Sequence, residues 1–233
     1  MNINENVAAI REVISASAKK SNRDPSKIKL IGVTKTVDTM RIKELLAAGV
    51  TEIGENRVQD FLPKYDFFSP AHLKSEIQPS MWHFIGHLQR NKVKFIVNKV
   101  DLIHSVDSLP LAEEINKYSE KSNVVSNILA EINISGEPSK YGIPPCEILK
   151  FVKSLANMRF VKLCGLMCMA PFVENPEKNR VFFNEMRKIL VDINMRSIYY
   201  LALEELSMGM SNDFSVAIEE GAAMIRIGTA LFK

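Results

Sequence analysis

The lysine at position 35 is the residue in this sequence whose type and place most directly suggest chemistry. Lys35 follows the apolar run of residues 30–33, where a buried strand would end. A partly desolvated lysine amine is more often neutral, and a neutral amine can attack an aldehyde to form a Schiff base. Most lysines are simply surface residues, so position alone favours neither interpretation of Lys35.

Two glycine turns near the end of the chain suggest an anion site. Gly209 precedes a segment in which a helix is predicted to begin at one of residues 211–213, and Gly228 precedes Thr229. Helix N-termini present free N–H groups that bind anions. Either motif alone is more often only a tight turn and a helix cap, but the two together favour phosphate binding.

An arginine in an apolar segment is the third candidate. Arg226 lies between Ile225 and Ile227, and on a strand its side chain points away from both. An unpaired buried charge is costly, so Arg226 needs either a ligand or a salt bridge, for example with Glu204 or Glu205. The sequence leaves these two alternatives open.

The histidines and cysteines do not have the arrangement of a metal site. His83 and His87 lie on a predicted strand and beyond its glycine end, which would separate their rings by roughly 13 Å in extended chain. Cys164 and Cys168 share that spacing on another predicted strand. We therefore expect no metal. The odd number of cysteines, 3, indicates a reducing, cytoplasmic setting.

Alternating strands and helices must position these candidates. A first helix is predicted over residues 5–20. Apolar strands are predicted over residues 29–34, 52–55, 81–86, 102–106, 127–134, 161–169, 203–208 and 224–231. The strands are almost continuously apolar, as parallel strands covered on both faces are. This pattern predicts an α/β fold, a single-domain (β/α)8 TIM barrel over residues 1–233 with an extra N-terminal helix; an open doubly wound sheet is the alternative.

A barrel would bring the candidates together. Active sites of TIM barrels lie at the carboxyl ends of the strands, and phosphate often binds the loops after strands seven and eight. The eighth strand neighbours the first, so Lys35 and the Gly228 turn would be adjacent although far apart in sequence. A phosphate site beside a reactive amine suits a phosphorylated aldehyde, of which pyridoxal 5′-phosphate (PLP) is the commonest.

Composition argues against several classes of partner. The 233 residues are 46% hydrophobic and 24% charged, and the net charge of +3 is spread along the chain. We therefore expect neither nucleic acid nor a membrane surface as partner. No apolar run approaches the roughly 18 residues of a membrane span, and the charged N-terminus is unlike a secretory signal.

Longer motifs resemble those of the pyridoxal phosphate homeostasis proteins over essentially the whole chain. They are "VTKT" (33–36), "IGENRVQD" (53–60), "WHFIGHLQRNK" (82–92), "HSVDS" (104–108), "INISGEPSKYG" (132–142), "GLMCMAP" (165–171), "LSMGMSNDFSVAI" (206–218) and "IRIGTALF" (225–232). The motifs "WHFIGHLQRNK" and "LSMGMSNDF", in that order along the chain, are the most specific. Pro138 and Tyr141 depart from the family, whose loop there is usually more acidic and richer in glycine.

The resemblance implies the fold of the N-terminal barrel of alanine racemase, with PLP as cofactor. Lys35 would carry PLP as a Schiff base, and Arg226 would face the pyridine nitrogen. The remaining implied contacts are Asn56 beside the cofactor, His83 and Met208 at the ring, and Ser211 with the backbone of Gly228 and Thr229 at the phosphate.

The resemblance also implies binding without established catalysis. A cationic arginine disfavours a proton on the ring nitrogen and so weakens PLP as an electron sink. Racemisation needs a second acid or base, which racemases take from a β-rich second domain, and this sequence ends at Lys233. We expect a monomeric protein of vitamin B6 homeostasis. A small PLP-dependent amino-acid racemase, or a protein that delivers PLP to apo-enzymes, are the alternatives.

Overall fold

The computed structural model describes residues 2–69, 77–197 and 202–233. Its strands form a closed parallel barrel in sequential order, so the predicted (β/α)8 barrel is confirmed and the open sheet is wrong. The strands are β1 (Lys29–Val33), β2 (Glu52–Glu55), β3 (Met81–Phe84), β4 (Leu102–Val106), β5 (Ser126–Ile132), β6 (Val161–Cys168), β7 (Glu205–Ser207) and β8 (Met224–Ile227). β8 pairs with β1, which closes the ring.

Helices surround the barrel. Within the described ranges the α-helices are α1 (Ile3–Lys20), α2 (Thr39–Ala47), α3 (Val58–Phe68), α4 (Leu109–Lys121), α5 (Ile148–Leu155), α6 (Arg180–Met195), α7 (Phe214–Glu219) and α8 (Thr229–Phe232). The connection from β3 to β4 contains a 3-10 helix, Arg90–Phe95. None of the helices in these ranges has both the length and the apolar character that crossing a bilayer requires.

The extra helix α1 joins the start of the chain to the last strand. The Asn2 side chain accepts from the Glu5 backbone N–H and the Glu5 carboxylate accepts in return from Asn2, which is a capping box. The Asn6 amide donates to the backbone oxygens of Leu231 (3.1 Å) and Lys233 (2.9 Å). Side-chain hydrogen bonds therefore hold α1 against the segment that follows β8.

Two apolar clusters show to which side of the barrel wall each strand residue points. A small cluster inside the barrel consists of Ile31, Leu102, Leu129, Met167 and Met224, and a much larger cluster lies between the strands and the helices. Because alternate residues of a strand point to opposite faces, residues two positions from an interior residue also face the interior. Arg226 is therefore an interior residue, as the sequence predicted.

Several strands are shorter than predicted, and the largest difference concerns β8. This strand ends at Ile227, and Thr229–Phe232 forms α8, whereas the prediction continued the strand to residue 231. The Gly228 backbone (φ −114°, ψ −84°) leaves the extended region and starts the helix. Apolar residues after Gly228 pack on the barrel from this helix, so their hydrophobicity resembled a strand.

Candidate functional site

Lys35 lies in a turn at the carboxyl end of β1. The preceding Thr34 is fully buried, and its carbonyl accepts a hydrogen bond from the Val37 N–H (3.1 Å) that closes the turn. The Lys35 side chain itself is exposed. Lys35 is therefore accessible to solvent in the turn that follows β1.

A buried ion pair anchors the base of this turn. The Lys64 ammonium donates to Glu55 Oε1 (2.6 Å) and to the Thr34 carbonyl (2.6 Å). The Thr34 hydroxyl donates to the same Glu55 oxygen (2.5 Å). Sequence reasoning missed this group, although Lys64 occupies a core position of α3 between Phe61 and Phe68. The pair ties the end of β1, β2 and α3 together at Thr34, the residue before Lys35.

Arg226 lies inside the barrel and has no direct carboxylate partner in the described part of the chain. One guanidinium nitrogen donates to Ser207 Oγ (2.5 Å) and another to the Cys168 carbonyl (2.8 Å). Desolvation lowers the pKa of Arg226 from its ordinary value. Glu205 pairs with Lys29 (2.5 Å), so the salt bridge considered from the sequence does not form there.

A line of hydrogen bonds continues from Ser207 across the barrel interior. Ser207 Oγ lies 2.9 Å from His104 Nδ1, and His104 Nε2 lies 2.9 Å from His83 Nδ1. His83 Nε2 lies 3.1 Å from Glu52 Oε2. Desolvation, with smaller contributions from His83 and Arg226, holds the pKa of His104 well below its ordinary value. Sequence reasoning missed His104, although it lies two residues after interior Leu102.

The loop after β7 forms the first predicted phosphate turn. Gly209 has φ +91°, and a Cβ there would lie 2.6 Å from the Ala217 Cβ, so only glycine fits. Ser211 is half-buried in the turn, and α7 has Asp213 as its N-cap. The Arg226 N–H donates to the Gly209 carbonyl (3.0 Å), which joins this loop to β8.

The second predicted phosphate turn lies beside β1. A Cβ on Gly228 would be in van der Waals contact with the Val33 side chain, at 3.5 Å. Val33 is two residues before Lys35, so the Gly228 turn lies next to the strand that leads to Lys35 at the carboxyl end of the barrel. Thr229 is exposed and begins α8.

Asn56 provides a polar atom that the described protein leaves unpaired. Its Oδ1 is buried, and no described residue offers it a hydrogen bond. Gly86 allows this close packing, because a Cβ there would lie 2.2 Å from the Asn56 carbonyl. Unpaired buried polar atoms are rare, and a bound ligand is one way to satisfy them.

His83 and Met208, the predicted ring-pocket residues, have different surroundings. His83 is fully buried in the interior, whereas Met208 belongs to the outer apolar cluster with Leu206. Ser207 lies between Leu206 and Met208 in the sequence, and its hydroxyl bonds to the interior side chains of His104 and Arg226. The ring-pocket roles of His83 and Met208 remain predictions.

An acidic residue that sequence reasoning missed lies in the same interior. Glu131 is two residues after Leu129 on β5 and is only 2% exposed. Desolvation, and secondarily Asp107, raise its pKa to about 7, against an opposing contribution from Arg226. The available signal was an acid within the apolar run of residues 128–132. Glu131 can therefore change its protonation state near neutral pH.

The loops that follow β3, β4 and β5 meet at the carboxyl end of the barrel. The His87 ring stacks on Tyr141 with centroids 3.7 Å apart, and His87 Nδ1 lies 3.2 Å from Asp107 Oδ2. His87 thus has partners separate from those of His83. Across residues 2–69, 77–197 and 202–233, no three histidine, cysteine or acidic side chains form a group that could hold a metal ion.

Comparison with known proteins adds evidence from sequence and fold. The family model described as alanine racemase, N-terminal domain, matches residues 3–233. The pyridoxal phosphate homeostasis protein of Aquifex aeolicus is 42% identical over 232 residues, covering 100% of this chain and 98% of that protein.

Two solved structures share the fold over nearly their whole lengths. A protein from Bifidobacterium adolescentis superposes with a TM-score of 0.91 at 32% identity, covering 99% of this chain and 94% of that one. PipY of Synechococcus elongatus, solved with PLP bound, superposes with a TM-score of 0.85 at 31% identity, covering 100% of both chains.

Proposed function

This chain belongs to the pyridoxal phosphate homeostasis protein family, and we propose that it binds PLP and holds it as a Schiff base on Lys35. The observation that carries the proposal is the contact between the Gly228 turn and Val33, two residues before Lys35. That contact supports a site in which the proposed anion-binding turn lies next to the strand that leads to Lys35. The PLP-bound structure of PipY supports the choice of ligand.

The residues present fit such a cofactor. Asn56 has a buried oxygen in need of a donor, and Arg226 supplies a buried cation inside the barrel. Bound PLP would supply an electrophilic aldehyde and an electron-withdrawing ring. The Lys35 amine would condense with that aldehyde and release water. The residues proposed to hold the rest of the molecule are Asn56, His83, Met208, Ser211, Arg226, Gly228 and Thr229.

The chain's own charges favour holding PLP over turning substrates over. The Arg226 guanidinium donates hydrogen bonds and accepts none, so a ring nitrogen beside it stays unprotonated. We propose a homeostasis role in the cytoplasm, carried by a single barrel domain over residues 1–233 that acts as a monomer. Apo-enzymes that need PLP would be its acceptors; transfer no faster than from free PLP would exclude that delivery role.

Borohydride trapping tests the lysine assignment. Borohydride reduces a Schiff base to a stable amine, so wild-type protein loaded with PLP should gain the mass of one reduced cofactor, on the peptide containing Lys35. Lys35→Ala should gain none. Lys27→Ala, which removes an exposed lysine at the amino end of the barrel, should label like wild type. A full label in Lys35→Ala would overturn the assignment.

One observation favours a second candidate function, a small PLP-dependent amino-acid racemase. Racemisation needs two acid or base groups, and Glu131, with its pKa raised to about 7 by burial, is the candidate for the second group in addition to Lys35. Solvent deuterium incorporation at the Cα of a panel of amino acids tests this. Exchange above that with free PLP, lost in Glu131→Gln, would support the racemase; exchange no faster than with free PLP would exclude it.

A further inference from the structure

The polar groups inside the barrel form one continuous line from its amino end to Arg226. Glu52 is at the start of β2, where its carboxylate is partly exposed beside a cavity of about 350 Å³ that Lys29 also lines. His83 and His104 follow on β3 and β4, and Ser207 follows on β7. The three steps from Glu52 to Ser207 are between 2.9 and 3.1 Å, and the last step, from Ser207 to Arg226, is 2.5 Å.

The donors and acceptors of this line can be assigned from its two ends. An ionised Glu52 only accepts, so His83 Nε2 must carry a proton, and the Nδ1 of a neutral His83 then accepts. His104 Nε2 must therefore donate, which leaves its Nδ1 as an acceptor. The Ser207 hydroxyl supplies that proton and in turn accepts from Arg226. Every atom of the line is then paired.

The opposite direction leaves groups unsatisfied. If His83 were an imidazolium, its Nδ1 would donate to His104, whose Nδ1 would then donate to Ser207. The Ser207 oxygen would accept from both His104 and Arg226, and its own hydrogen would lose the His104 acceptor. A second cation would also lie buried in the same interior as Arg226. Burial holds the pKa of His104 well below its ordinary value, which agrees with a neutral His104.

We propose that Glu52, His83, His104 and Ser207 form a directional hydrogen-bond relay that orients Arg226, with Glu52 as the remote counter-charge at the opposite end of the barrel. His83, His104 and Ser207 are then positioning residues for the PLP ring site, and this role rests on the proposed function. The direction of the relay is a property of the protein without PLP, so the two can be tested separately.

Nitrogen-15 NMR of histidine-labelled protein without PLP tests the direction. The chain has 4 histidines, which single substitutions can assign. At neutral pH, His83 and His104 should both be neutral with the proton on Nε2. Ser207→Ala should shift the His104 Nδ1 resonance, and His83 to a smaller extent, while His87 stays unchanged. A proton on Nδ1 of either His83 or His104, or an imidazolium at either one, would overturn the relay.

PLP titration tests the positioning role. Hydrogen bonds to charged groups are strong enough that Ser207→Ala should weaken PLP binding by about tenfold or more. Ser119→Ala is the matched control, since it removes another buried hydroxyl, bonded to Ser126 at 2.7 Å, away from the relay. Equal affinity in Ser207→Ala and Ser119→Ala would remove the positioning role while leaving PLP binding intact. Absence of PLP binding by wild type would refute the proposed function, and the NMR result would still decide the relay.

Discussion

Replacing Glu131 by glutamine should change how the stability of the protein depends on pH. Burial raises the pKa of this carboxyl from its ordinary value of 4.5 to about 7. A difference of that size corresponds to about 3 kcal/mol between the protonated and ionised forms. Because Glu131 is only 2% exposed, solvent screening should reduce this figure little.

The sign of the pH dependence follows from comparing the folded and the unfolded protein. Below pH 4.5 the Glu131 carboxyl is protonated in both folded and unfolded protein, and the folded state has its full stability. As pH rises towards 7, the unfolded chain releases the proton while the folded protein holds it, so stability falls. Above that range both states are ionised and the loss is complete. Glutamine stays neutral throughout and avoids this loss.

Urea unfolding measures the effect, and the 1 tryptophan, the buried Trp82, provides the fluorescence signal. Relative to wild type, Glu131→Gln should have similar stability at about pH 4 and be about 3 kcal/mol more stable at about pH 8. Glu113→Gln removes the same charge from the exposed surface of α4 and should stay within about 0.5 kcal/mol of wild type. A stability difference for Glu131→Gln that is constant with pH would refute the reasoning.

Two further substitutions test residues that stabilise the loops at the carboxyl end of the barrel. Lys64→Met leaves the fully buried Glu55 carboxylate without its cation, and urea unfolding should show a loss of about 3–5 kcal/mol, partly restored in the double variant with Glu55→Gln; no restoration would contradict the ion-pair explanation. Gly209→Ala should lose more than about 1 kcal/mol by the same measurement, because its Cβ would lie 2.6 Å from Ala217 at φ +91°. Gly136→Ala is the control, with φ +70° but no atom within 4 Å of the added Cβ; an equal loss there would show that the contact with Ala217 is unimportant.

The sequence was sufficient to predict the barrel and the approach of the Gly228 turn to β1. Continuous apolar strands and regular alternation with helices are local patterns, and closure of the ring then places Gly228 beside the strand that leads to Lys35. The end of β8 was predicted wrongly because apolar residues on a packed helix have the same composition as a strand. The exposure of Lys35 depends on a turn that no pattern in residues 33–38 specifies.

The hydrogen bonds inside the barrel cannot be predicted from the sequence of any single strand. Alternation alone gives the facing side of His104, two residues from Leu102, but the approach of His83 depends on the register between β3 and β4, in which His83 is opposite Leu102. Registers arise from the closed ring as a whole, so hydrogen bonds across it are not visible in any single motif. The sequence therefore could not reveal the hydrogen bonds that His83 and His104 form inside the barrel.

Arg226 explains why so many polar groups share this interior. A guanidinium buried without a direct carboxylate needs compensation from elsewhere, and the barrel offers two sources. Glu131 can supply charge only above its raised pKa of about 7, so at lower pH it contributes a neutral carboxyl. The line through Ser207, His104 and His83 to Glu52 is the second source, because the Ser207 hydroxyl accepts from Arg226 and burial holds the pKa of His104 well below its ordinary value. The proposed relay therefore compensates Arg226 through a neutral hydroxyl, and Glu131 adds a negative charge above its raised pKa.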